Sequence, residues 1–163
     1  MGDYVHRVTS ALLASEFLPA SMRTKLMRGL GFDMSKESCM WAGASLRSKK
    51  IKISEGAFIN VGFFHDGYDQ VLIGKNVRIG QFVRILTATH DIGPPHQRGL
   101  IEVVGKPVEI RDGTWVGSGV TILPGVIVAP GCVLAANAVV VNSTEPNGLY
   151  AGNPAKLVRM LDA

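Results

Sequence analysis

From Ile110 onward the chain repeats every six residues, reading IRDGTW, VGSGVT, ILPGVI, VAPGCV, LAANAV and VVNSTE. Each hexad opens on an aliphatic residue: Ile110, Val116, Ile122, Val128, Leu134 and Val140. The fourth positions are Gly113, Gly119, Gly125, Gly131 and Asn137. Gly, and after it Asn, enters the left-handed backbone region readily, whereas other residues lose roughly 1–2 kcal/mol there. Fifth positions are small or β-branched: Thr114, Val120, Val126, Cys132, Ala138 and Thr144. A corner forced every six residues leaves only a short strand between corners. Three such units per coil stack into a triangular prism whose axis is filled by the first-position aliphatics. An antiparallel sandwich spaces its strands roughly 8–12 residues apart, so this period excludes it.

The phase runs backward from Ile85, Ile79 and Ile73, and through earlier hexads opening at Ile59, Ile53, Arg47 and Trp41, the one at Arg47 being irregular. Two features interrupt it. His65 to Leu72 is a hexad enlarged by two residues around Asp66-Gly67, and Asp91 to Val103 is an excursion of 13 residues before Val104 rejoins the phase. The expectation is an all-β chain, a parallel β-helix of about five coils over residues 41–153 with an external loop at 91–103. Residues 1–40 lack the period. Val8, Leu12 and Leu13, then Met22, Leu26 and Leu30, have helical spacing, with Pro19 suited to a first turn and Gly29 and Gly31 to an end. They predict short helices capping one end of the prism. A C-terminal helix over 154–163 is expected to close the other.

At 163 residues, with 47% apolar and 18% charged, the chain is sized for one packed domain. Lys and Arg exceed Asp and Glu by only 17 to 13, scattered along the chain, which argues against a nucleic-acid partner and is compatible with a small anionic ligand. Cys39 and Cys132 have no CxxC spacing, so two reduced thiols are expected in place of a zinc ribbon or dithiol site. No apolar run reaches membrane-spanning length, and the N-terminal apolar stretch is broken at Ser15 and Glu16. A cytoplasmic protein without an integral membrane segment follows as the expectation. Arg7, Arg23, Lys25 and Arg28 offer an alternative, a membrane-surface face on the cap.

A prism wall needs an interruption to build a site, and the segment THDIGPPHQRG provides one. His90 ends a hexad just where the excursion begins, on a rigid edge beneath a loop, where a general base is well placed. His96 lies within the loop as a solvent-facing or substrate-contacting residue, and His6 and His65 belong to no motif.

With the hexads, the loop-root His and the closing AGNPAKLVR together, the chain resembles the hexapeptide-repeat acyltransferases from about Ile51 to Arg159. Within them it is most similar to the sugar O-acetyltransferases that act on galactosides, maltose and nodulation factors. The resemblance implies a left-handed β-helix, acetyl-CoA as co-substrate, no metal, and a homotrimer with active sites between prisms. It makes His90 the base that deprotonates an acceptor hydroxyl, and Asn60, thirty residues earlier, the residue that holds the acceptor. By face count the two lie on different edges, so a shared site joins two subunits. Apolar wall residues Val120, Ile127 and Val133 are a further reason to expect a trimer. Ser118 falls where a backbone N–H steadies the oxyanion, Ala136 where the pantetheine arm passes, and Lys156 and Arg159, one helical turn apart, where the CoA phosphates sit.

There are departures. Val141-Asn142 stands where relatives often have Thr-Lys, and the N-terminal region does not look like the sugar-pocket domain of the maltose and galactoside enzymes. Asp66 and Asp69, on the enlarged hexad, are candidate sugar ligands. Besides a sugar or polysaccharide precursor, the acceptor could be serine or an antibiotic. Two readings from other classes remain: a γ-class carbonic anhydrase-like zinc enzyme, with His65, His90 and His96 as the only available triad, and a noncatalytic solenoid.

Overall fold

The computed structural model describes residues 10–162, so Arg7, Val8 and His6 lie outside the described residues. Residues 10–14 are helical, and α1 (Ala20–Gly29) follows Pro19. Five full coils come next. Their strands are β1 (Asp33–Met34), β2 (Cys39–Met40) and β3 (Ser45–Leu46); β4 (Ile51–Ile53), β5 (Phe58–Ile59) and β6 (Phe64–His65); β7 (Val71–Ile73), β8 (Arg78–Ile79) and β9 (Arg84–Ile85). An antiparallel hairpin, β10 (Ala88–Ile92) and β11 (Gly99–Gly105), interrupts them before β12 (Val108–Ile110), β13 (Trp115–Val116), β14 (Thr121–Ile122), β15 (Ile127–Val128), β16 (Val133–Leu134) and β17 (Val139–Val140). A sixth coil begins with β18 (Gly148–Ala151), and β19 (Lys156–Met160) folds back on it. Stacking every third strand in parallel gives three walls: β1-β4-β7-β12-β15, β2-β5-β8-β13-β16-β18, and β3-β6-β9-β14-β17. This is the left-handed β-helix.

The second residue of each two-residue strand points to the axis, and Ile59, Ile79, Ile85, Val116, Ile122 and Leu134 are almost wholly buried there. Corners turn at the fourth positions. Gly119 and Asn137 both have positive φ and stack on one another, and a Cβ on Gly119 would lie 2.3 Å from Asn137 Oδ1. The corner without a side chain at Gly119 leaves the room that the Asn137 amide occupies.

Three expectations need correction. The coils begin at Asp33, ahead of the boundary at 41, and the early phase is displaced by one: Met40 and Leu46 are buried while Trp41 and Arg47 are exposed. Seven residues separate Leu46 from the next axial residue, Ile53, and counting back by six steps over the extra one. The C-terminal helix is a strand. A turn through Gly152–Ala155 returns the chain to the open edge of β18, whose unpaired backbone groups make a better partner than so short a helix could supply for itself. Finally, Val104 belongs to the hairpin and pairs with Thr89, so the excursion runs from Ala88 to Gly105. Lys106 N–H bonds Thr87 O at 2.9 Å and closes its base.

Arg23 joins cap to prism. It is only 2% exposed and donates to the carbonyls of Leu13 (2.7 Å), Met40 (3.0 Å), Ser15 (2.8 Å) and Leu18 (2.6 Å). The residue assigned to a membrane-facing basic face is thus an internal strut. Among the described residues no helix is long and apolar enough to cross a membrane.

One axial position is not apolar. His65 is fully buried between Leu46 and Ile85 on the third wall; its Nε2 bonds Asp69 O at 3.1 Å and its Nδ1 has no partner. Burial pushes its pKa below the ordinary value, outweighing the Asp69 bond and the nearby Asp66 carboxylate, which favour the charged form. The unfolded chain therefore binds this proton first, so stability falls as pH drops below about 6.5. Replacing His65 with Leu should flatten the decline of Tm between about pH 6.5 and 5, read by thermal unfolding across a pH series; an unchanged slope would show that another group carries it.

Candidate active site

The second wall bears a long open groove of about 680 Å³ along its outer face and its corner with the third wall. Its floor follows from the stacking. Ile59, Ile79, Val116 and Leu134 are register partners, so the residues after them, Asn60, Gly80, Gly117 and Ala135, form one column. Beyond Asn60 that column carries no side chain larger than a methyl group. The next column includes Gln81, Ser118 and Ala136, with the Ser118 hydroxyl bonded to Gln81 Oε1. Asn60, Ser118 and Ala136, which are far apart in sequence, line the same groove.

Each has a fitting local geometry. Asn60 Oδ1 accepts Val61 N–H at 2.8 Å, which fixes the amide and leaves its NH₂ without a partner among the described residues. Ser118 N–H likewise makes no hydrogen bond among the described residues. A Cβ on Gly80 would come within 2.7 Å of that nitrogen, so the glycine in the coil below leaves the N–H open to the groove. Phe58, Arg78 and Trp115 complete the wall, with the Arg78 guanidinium 5.6 Å from the Phe58 ring centre. They escaped the sequence reading because outward hexad positions carry no periodic signal.

Lys156 and Arg159 are not a helical pair, yet they share a face. Across β18, Lys156 opposes Ala151 and Arg159 opposes Leu149, and Leu149 and Ala151 alternate onto the same side. A bulge between these pairs makes three residues of β19 span two of β18. Leu149 also pairs with outward-facing Val133, so both cations fall on the groove side of the wall. The order along the axis is Asn60, Ser118, Ala136, then Lys156 and Arg159. The rungs from β5 to β18 cover about 19 Å at the usual inter-strand spacing.

His90 stands apart, on the hairpin at the corner between the third and first walls. It is exposed, and its Nδ1 lies 3.1 Å from Glu102 O. A carbonyl only accepts, so in the neutral ring Nδ1 carries the proton and Nε2 keeps its lone pair outward, the tautomer a general base needs. His96, beyond β10, is exposed. The proposed zinc triad fails, because His65 is sealed in the axis while the other two histidines are on the hairpin.

The enlarged hexad is the hairpin's buttress. Asp66 accepts from Thr87 N–H (2.8 Å), Ala88 N–H (3.0 Å), Tyr68 N–H (3.3 Å) and the Thr87 hydroxyl. Tyr68 OH reaches the other strand at Val103 O, 3.0 Å away. With its oxygens engaged in this way, Asp66 is no open sugar ligand. Burial would raise its pKa, but the four bonds outweigh that and hold it below the usual carboxylate range. Asp69 accepts Gln70 N–H through Oδ1 and keeps Oδ2 without a donor among the described residues.

Residues 107–142 match the family model described as bacterial transferase hexapeptide (six repeats). A hexapeptide-repeat acetyltransferase from Vibrio cholerae, solved with acetyl coenzyme A, is 30% identical with a TM-score of 0.83, covering 98% of this chain and 89% of its own. The chain belongs to the hexapeptide-repeat acyltransferase family. A maltose O-acetyltransferase from Clostridium difficile is 26% identical with a TM-score of 0.80 over 99% of this chain and 86% of itself. A provisionally named acetyltransferase of Dictyostelium discoideum is 40% identical over 109 residues, 67% of this chain and 57% of its own. The chain thus spans about half the length of the curated relatives it matches.

Asp66→Asn should loosen the hairpin, since an amide nitrogen cannot accept from Thr87 or Ala88. Hydrogen exchange at residues 88–105 should quicken at least tenfold while the second wall keeps its protection. Acidification should have the same effect in the wild type, as pH falls below about 4 and through the lowered Asp66 pKa.

Proposed function

We propose that this protein moves an acetyl group from acetyl-CoA to a hydroxyl of a sugar or polysaccharide precursor. The observation that carries the reading is the linear order of Asn60, Ser118 and Ala136 along one groove, continued by Lys156 and Arg159 on the next strands of the same wall, which is the order of acceptor, thioester carbonyl, pantetheine arm and phosphates. Binding of acetyl coenzyme A by the Vibrio cholerae relative supports the donor, and the maltose enzyme supports a sugar acceptor. Free thiols at Cys39 and Cys132 suit a reducing cytoplasm.

In this reading His90 Nε2 takes the proton of the acceptor hydroxyl, whose oxygen attacks the thioester carbon. Ser118 N–H stabilises the resulting oxyanion, and collapse expels the CoA thiolate. Asn60 directs the acceptor through its amide. Since His90 and Asn60 occupy different corners, the complete site forms where the hairpin of one subunit meets the groove of the next in a homotrimer. The exposure of Ile92 (84%) and Ile101 (86%) on the hairpin, and of Phe82 (64%) and Trp115 (59%) on the prism, supports such packing. Of the wall residues first enlisted for it, Val120 drops out, being wholly buried inside the corner. Asp69, with one free oxygen, is the remaining carboxylate for sugar hydroxyls.

Thiol release from acetyl-CoA against a panel of sugars, serine and aminoglycosides tests donor and acceptor together; no acceptor-dependent release would end the proposal. His90→Ala should lower kcat by about 10²–10⁴ with acetyl-CoA binding kept, while His96→Ala stays near wild type. The reverse pattern would misplace the base. Lys156→Ala and Arg159→Ala should raise the acetyl-CoA KM more than they lower kcat, with the difference shrinking in salt, because contacts far from the carbonyl hold ground and transition states alike. Sedimentation should give a trimer at micromolar concentration, and a monomer would exclude the shared site.

A further inference from the structure

A second cavity, of about 420 Å³, lies between α1 and the first coil, lined by Ser21, Thr24, Lys25, Arg28, Lys36 and Cys39 among others. Residues 21, 24, 25 and 28 occupy one face of α1 at i, i+3, i+4 and i+7. Lys36 comes from the turn before β2, so two separate elements send cations into one cleft. No carboxylate lines it, and none of the three cations joins an ion pair or an intramolecular hydrogen bond among the described residues. Arg28 is favoured by the C-terminal end of the helix. Lys25 and Lys36 have no such reason to converge, and like charges held together repel unless an anion lies between them.

Position gives the cleft its meaning. Cys39, on its wall, is the register partner of Phe58, which lines the groove, so the cleft continues the groove by one rung toward the cap. Beyond the far end of the groove, the same face of the wall carries Lys156 and Arg159. Asn60 stands one rung above Cys39 and two residues further along the wall, over Trp41, so the two backbones are about 8 Å apart by strand geometry. That is the distance from a ring hydroxyl to a phosphate on the other side of the same sugar.

We propose that the cleft of Lys25, Arg28 and Lys36 binds the phosphate of the acceptor, making the substrate class a glycosyl phosphate in place of a neutral sugar. The phosphate takes no part in bond making; it anchors the far side of the sugar so that one hydroxyl reaches the thioester. The substrate assignment rests on the acetyl-transfer reading, whereas anion binding by the cleft does not.

The test uses the full chain, Lys25→Gln/Arg28→Gln/Lys36→Gln together, and Lys156→Ala/Arg159→Ala as the comparison. All five side chains are exposed, so both variants should fold. In the double variant, where the cation pair assigned to the CoA phosphates is gone, calorimetric titration with inorganic pyrophosphate should still show binding, weakened at least tenfold when the triple substitution is added. The triple variant alone should keep its acetyl-CoA affinity within twofold of wild type, and the double variant alone should bind acetyl-CoA at least tenfold more weakly. With acetyl-CoA present, hexose 1-phosphates should be acetylated with kcat/KM at least tenfold above the free hexoses, and the triple variant should lose that preference. Pyrophosphate binding that is already lost in the double variant, or that survives when the triple substitution is added to the double variant, overturns the cleft as an anion site; preference for free hexoses overturns the substrate class. Failure to bind acetyl-CoA would remove the acetyl-transfer reading and the substrate class with it, while pyrophosphate would still decide the cleft.

Discussion

Parallel stacking of rungs on a shared axis is the constraint from which the rest of this molecule follows. Each two-residue strand hydrogen-bonds to the equivalent strand one coil above and below, and its inward residue fills one layer of the core. Adding a residue inside a strand would turn the apolar side chain outward. Extra residues therefore collect at corners, as with the one added between Leu46 and Ile53, the enlarged hexad at His65 and the hairpin after Thr87. Rigid walls and variable corners divide the labour: walls supply the floor on which a slender ligand can lie, and corners supply the side chains that act on it.

The two interruptions of the repeat prove to be one device. Asp66 and Thr87 are 21 residues apart, yet the enlarged hexad and the hairpin root lie on consecutive coils of the same edge, where Asp66 gathers Thr87 and Ala88 and Tyr68 holds Val103. A hairpin carrying an exposed imidazole would otherwise move freely about its root. The four-fold hydrogen bonding of Asp66 converts a long excursion into a fixed arm, and the Glu102 carbonyl then sets the ring tautomer of His90. His65, sealed beneath this junction, is a polar layer among the aliphatic ones, and its lowered pKa makes it a point at which mild acid is expected to weaken the stack.

The groove is built with equal economy. Its floor is defined by absent side chains at Gly80 and Gly117, the Ser118 N–H is left open by the glycine below it, and its cations sit on a strand brought round by a bulge. A single wall thus presents, in order, a basic cleft beside the cap, an amide, an unpaired N–H, a bare channel and a pair of cations. The arrangement suits a ligand pair that meets end to end, each partner entering from its own end of the prism.

Much of this was legible from the residues. The six-residue period, with glycine or asparagine at its fourth position, leaves a triangular coil as the only way to bury an aliphatic residue every six. The break in the period is legible too, but the hexad count roots it at His90, whereas the chain leaves the coil at Ala88 and His90 lies within the first strand of the hairpin. Other features were beyond sequence because they depend on which rungs become neighbours. Asn60, Gly80, Gly117 and Ala135 are separated by 20, 37 and 18 residues, an irregular series that becomes a column only after the insertions are folded out of the way. The i and i+3 spacing of Lys156 and Arg159 read as helical because local spacing cannot reveal an open sheet edge waiting one coil away. Asp66 read as a free carboxylate and Arg23 as a surface cation for the same reason, since their partners arrive from other coils. By itself the sequence determined the coil, its corners and the place where it is interrupted, because these are set by backbone conformation and local burial. Tertiary structure alone decided which polar groups are occupied and which remain open to a ligand, because that depends on hydrogen bonds between residues that only stacking makes adjacent.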